Sequence, residues 1–172
     1  MPRSSTGGKY FTAYGNKTGV AEAGEPAKVR LPFRFETVTM DRATFEQFVN
    51  EALERLPKKF RDKLHNVVVE VEESPSAELL EDMGISSGTL FGLYQGVPLT
   101  EREWNYGNAL PDRIVIYQRP IESVAATREE IEEIIMDTVA HEIGHYFGFD
   151  DAALYEIEGR KTRRRAGRKG RK

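Results

Sequence analysis

The stretch Thr127–Asp151, TREEIEEIIMDTVAHEIGHYFGFDD, decides how the rest of the chain reads. Thr127 with Glu130 three residues later is a capping box, and Ile131, Ile134, Ile135, Val139 and Ile143 recur at helical spacing. One long helix is therefore predicted, carrying His141-Glu142-Ile143-Gly144-His145 near its end. Residues four apart lie one above the other on a helix, so both imidazoles can face a single cation. Glu142 lies about 100° further round, close enough to take a proton from water but off the ligand axis. Gly148 can adopt φ > 0, end the helix and turn the chain back. Asp151, three residues on, is then placed to supply a third ligand, with Asp150 beside it as the alternative. Three protein ligands and one open position make a catalytic rather than a structural zinc site.

Working upstream, Ile114–Tyr117 reads as a strand ended by Pro120, and Thr89–Tyr94 as another, followed by a turn at Gln95-Gly96-Val97-Pro98. Residues 99–110 have the mixed composition of a structured loop. Ser76–Met83 is a short helix stopped by Gly84. Val67–Val71, with its β-branched run, is a further strand. Asp41–Leu56 is a helix, because Phe45, Phe48, Val49, Ala52, Leu53 and Leu56 fall on one face and Pro57 ends the pattern. A short helical piece with Phe60 and Leu64 follows, and these read as core residues. His65, alone at a helix–strand junction, reads as a surface or capping residue. After Asp151, Ala153, Leu154 and Ile157 suggest a last short helix. The fold class expected is α+β: a small mixed sheet of three or four strands with the long helix packed across it.

At 172 residues the chain fits one domain with tails. Residues 1–36 read as a flexible N-terminal extension, 37–158 as the folded domain and 159–172 as a basic disordered tail. Within the extension, Val29, Leu31, Phe33 and Phe35 alternate weakly, as in a strand. Residues 160–172 hold nine Lys/Arg and no acid, which leaves residues 1–159 with 16 basic and 28 acidic residues, a net charge of −12. Such a tail is solvated by default, and can make weak, salt-sensitive contacts with nucleic acid. There is no cysteine, which excludes disulfides, thiolate metal sites and cysteine nucleophiles. No apolar run approaches the ~20 residues that span a bilayer, so the expectation is a cytoplasmic monomer with no membrane partner.

The extended pattern HExxHxxGxxD resembles the zincins with aspartate as third ligand. Together GLYQGVPLTER (92–102), LPDRIVIYQRPI (110–121) and HEIGHYFGFDD (141–151) resemble the minimal zincins, small bacterial zinc metallopeptidases. The resemblance covers roughly residues 40 to 157. It implies His141, His145 and Asp151 as zinc ligands, Glu142 as general base, and a peptide or protein as substrate. It also implies that the strand before the active helix lies at the upper sheet edge, where an extended peptide adds by main-chain hydrogen bonds. Tyr155, Tyr106 and Arg102 are candidates, by residue type, to stabilise an oxyanion.

Two other readings compete. HEIGHYFGFDD is similar to the HGxxHxxGYDH signature of zincin-like bacterial endoribonucleases, and the basic tail suits RNA. That signature, however, has no glutamate after the first histidine and has a third histidine where Asp151 stands. A non-catalytic metal-binding or interaction module is the remaining alternative. Metal-assisted hydrolysis of an amide bond is the leading one.

Overall fold

The structure is a computed structural model that describes residues 38–85, 88–102 and 110–157, together with the backbone of residues 9–14. Asp41 caps the first helix, α1 (Arg42–Arg55), accepting a hydrogen bond from the Thr44 amide at 2.9 Å. A single turn, α2 (Lys58–Arg61), leads into β2 (Val67–Glu72). Ser76 then caps α3 (Ala77–Asp82), and Gly84, at φ +70°, stops it. Next come β3 (Thr89–Gln95), a 3-10 turn (Leu99–Glu101) and β4 (Asp112–Tyr117). α4 (Gln118–Val124), α5 (Arg128–Tyr146) and α6 (151–157) complete the described chain.

The sheet is mixed, in the order β1-β3-β4-β2, where β1 is Lys9–Tyr14. β2 and β4 run parallel; β3 is antiparallel to β4 and to β1. β4 therefore lies inside the sheet, and the prediction that it forms the edge is corrected. Its IVIY run is buried on both faces, the signature of an interior strand rather than an alternating edge strand. Residues 9–14 are a second correction. Their composition placed them in a flexible extension, yet they pair with β3 along its outer side. Pairing of this kind uses backbone groups, which composition does not report. The alternation at Val29–Phe35 and the basic tail lie outside the described residues.

One face of the sheet carries the main core. Ile114 and Ile116 of β4, with Phe91 and Tyr94 of β3, meet Phe45, Phe48 and Val49 of α1 and Ile131, Ile135, Val139 and Ile143 of α5. On the other face, Leu79, Leu80, Met83 and Ile85 from α3 and its exit cover Leu90, Leu93, Val115 and Tyr117. That makes the α+β fold with α5 packed across the sheet. α4 is the element that the sequence reading missed. Pro120 reads as a strand terminator, but it sits in the first turn of α4, where its missing N–H deprives no helical bond. Ile121 behind it is fully buried.

Candidate metal centre

The last nine residues of α5, Thr138–Tyr146, are buried apart from Ala140, and the site is built there. α5 closes with a Schellman motif: Phe149 N–H bonds to Gly144 C=O at 3.1 Å, and Gly148 N–H to His145 C=O at 2.9 Å. Gly148 has φ +88°, and a Cβ there would stand 2.1 Å from Thr100 Oγ1. Both its conformation and its neighbour demand glycine. The turn delivers Asp150 and Asp151 to different tasks. Asp150 Oδ1 accepts from the Ala153 amide at 2.8 Å and caps α6. Asp151 Oδ1 lies 3.2 Å from His141 Nε2 and 3.3 Å from His145 Nε2. Of the two aspartates, it is Asp151 that joins the histidines.

His141, His145 and Asp151 each offer one ligand atom, all within 4.8 Å of one another. With metal–ligand bonds of about 2.0–2.1 Å, two ligand atoms of a zinc tetrahedron stand about 3.3 Å apart. The two nitrogen–oxygen separations match that edge, so the donor set fits the metal that the sequence implies. The second imidazole is also oriented for it. His145 Nδ1 is 2.9 Å from Phe149 C=O, and as the donor of that bond it leaves Nε2 as the free-lone-pair nitrogen facing Asp151. Burial holds the His145 imidazole below the usual histidine range, against the opposing pull of the Phe149 carbonyl, which favours the neutral form a ligand needs.

Glu142, fully buried, sits over β3 at Gly92. A Cβ on Gly92 would approach Glu142 Cγ and Oε1 to 2.8 Å and Thr138 Cγ2 to 2.7 Å. A bulge explains this seat. Thr12 pairs with Gly92 but Ala13 with Leu90, so Phe91 is the extra residue on β3. Phe91 and Gly92 consequently both face α5, and the second, lacking a side chain, leaves room for the glutamate. Gly144 plays the same part on the other side of α5. A Cβ there would meet Leu154 Cδ2 at 2.4 Å, so the missing side chain is what lets α6, and Asp151 at its start, dock closely.

The oxyanion candidates separate. The Tyr155 ring lies 5.7 Å from the His141 ring, centroid to centroid, beside the site. Arg102 is committed elsewhere: it pairs with buried Asp112, donates to Val97 C=O at 2.8 Å and lies 4.8 Å over the Tyr146 ring. Tyr106 lies outside the described residues. Sequence reading missed the buried Tyr94–Asp112–Arg102–Tyr146 set that braces the end of α5. Tyr94 donates to Asp112 at 2.7 Å, and burial together with that carboxylate raises the Tyr94 phenol well above its ordinary range. Tyr146 O–H in turn accepts from the His65 amide at 3.1 Å and lies 3.1 Å and 3.0 Å from the Lys63 and His65 carbonyls. His65 thus contributes its backbone, and its exposed side chain stays outside the cluster.

No helix among the described residues is long and apolar enough to cross a membrane. Comparison with curated proteins returns no match. The family model described as zincin-like metallopeptidase matches residues 64–160, more than half of the chain and the whole of the segment from β2 to α6. With a His-Glu-x-x-His helix laid across a small mixed sheet and an aspartate returned by a glycine turn, the chain belongs to the zincin-like metallopeptidase family.

Proposed function

We propose that the protein is a zinc-dependent peptidase that hydrolyses peptide bonds, with His141, His145 and Asp151 holding the metal and Glu142 as general base. The observation that carries this reading is the single Asp151 oxygen at 3.2 and 3.3 Å from two imidazole Nε2 atoms. Bound zinc supplies Lewis acidity for amide hydrolysis. Glu142, on the same turn of α5 as His141, accepts the proton of the attacking water and hands it to the leaving amine. Its fully buried seat over Gly92 holds the carboxylate in one place and limits its access to bulk water. The Phe149 carbonyl, by accepting from His145 Nδ1, orients that imidazole and makes it a better donor. Tyr155, next to His141, is the residue we assign to contact the substrate carbonyl oxygen. The presence of a buried glutamate in the motif favours peptide over RNA as substrate, because the endoribonuclease signature has none.

The test pairs two variants with a peptide library and RNA run in parallel. Glu142→Gln is expected to keep stoichiometric zinc while peptide cleavage falls by about 10²–10⁴-fold. His141→Ala is expected to lose the zinc. Zinc retained by both variants, or cleavage unaffected by Glu142→Gln, contradicts the assignment. RNA cleavage that depends on His141 would replace the peptidase reading by the nuclease one.

A further inference from the structure

The strand next to the candidate site already has an extended segment paired along it. β3 carries Gly92, over which Glu142 sits, and its inner side is taken by β4. Its outer side pairs antiparallel with residues 9–14, from Lys9↔Gln95 to Tyr14↔Thr89. Thr12 is the partner of Gly92, and the bulge falls at the next step. Neighbouring strands lie about 4.8 Å apart, so the backbone at Thr12 passes roughly one strand spacing from the position beneath the Glu142 carboxylate. α5 packs against both strands. Residues 15–37 separate this strand from the rest of the described chain, so it reaches the sheet from outside the segment that the family model matches.

We propose that residues 9–14 are an intramolecular occupant of the outer edge of β3 and compete there with extended peptides supplied in trans. An edge strand presents a row of backbone donors and acceptors that any extended segment can complete, whatever its side chains. The edge in question is the one whose central residue lies under the general base. A segment paired there antiparallel brings its main chain past Glu142, as a substrate of this site must. Covalent attachment makes the resident strand a local competitor, which micromolar peptide displaces poorly. Docking stands on the pairing itself; the regulation of turnover rests on the peptidase reading above.

The experiment compares the full chain with a form lacking residues 1–14 and with the double substitution Phe11→Pro, Thr12→Pro. Adjacent amides in a strand point to opposite sides, so two successive prolines remove at least one bond to β3. The probe is a fluorescent peptide copying residues 7–16, and binding is read by anisotropy in zinc-loaded protein. Both altered forms are expected to bind it at least ten-fold more tightly than the full chain. Hydrolysis of an unrelated peptide is expected to rise at least ten-fold in kcat/KM, chiefly through KM. Equal binding by all three forms, or no binding by a folded truncated form, overturns the proposal. So does loss of folding in both altered forms, which would make β1 a permanent part of the sheet. If no form turns over peptide but the altered forms bind the probe, docking stands and the peptidase reading fails.

Discussion

The two halves of α5 follow different rules. From Arg128 to Asp137 the helix is amphipathic: Ile131 and Ile135 are buried, while Glu129, Glu130, Glu133 and Asp137 are exposed. From Thr138 to Tyr146 it is enclosed on nearly every side, by β3 at Gly92, by α6 at Leu154 and by Arg102 over Tyr146. In the first half only the apolar stripe has to match its surroundings, and the polar face stays accessible to water. In the second half His141, Glu142 and His145 are all buried, and a buried polar group without a partner is costly. Such a cluster persists only if each member is answered by a specific neighbour. The comparison teaches that one helix can be ordinary core at one end and a candidate chemical site at the other, with the same backbone throughout.

The sharpest way to break the enclosed half is to remove its brace. Arg102→Leu removes the cation paired with the Asp112 carboxylate, whose side chain is 1% exposed, and is expected to cost about 3–5 kcal/mol in urea unfolding. Zinc content at low denaturant should persist, because Arg102 belongs to the brace rather than to the proposed ligands. In the amphipathic half, Ile135→Ala is expected to cost about 2–5 kcal/mol through its cavity, with zinc affinity unchanged by competition with a chelator. Gly144→Ala sharpens the contrast from the other direction. Its methyl group collides with Leu154, so a stability loss of about 1–3 kcal/mol should come with weaker zinc binding as Asp151 is pushed away. Adding Leu154→Ala should restore the zinc affinity, whereas no rescue would show that α6 does not set the ligand position. The smallest effect belongs to the exposed face. Glu133→Gln should change stability by no more than about 0.5 kcal/mol and leave zinc binding alone.

Much of this was legible in the residues, for local reasons. Asp41, Ser76 and Thr127 each accept a hydrogen bond from the amide three residues on, and the helices start where those caps stand. Gly84 and Gly148 end their helices at positive φ, as their positions imply. α4 was not legible, because a proline in a first helical turn and a proline ending a strand look alike. Nor was β1, since its place in the sheet rests on backbone pairing with β3, which composition does not report. Arg102, a candidate for catalysis by its charge, proved to be the partner of a carboxylate ten residues away whose burial the sequence does not display.

By itself the sequence determined the helix, the four-residue spacing of its histidines, the glutamate between them and the glycine that ends it, because each depends on interactions spanning a few residues. Tertiary structure decided which aspartate meets the histidines, which strand lies under Glu142, and what pairs along that strand. Those outcomes depend on contacts between segments far apart in the chain, where packing and backbone pairing select one arrangement among several that the same local pattern permits.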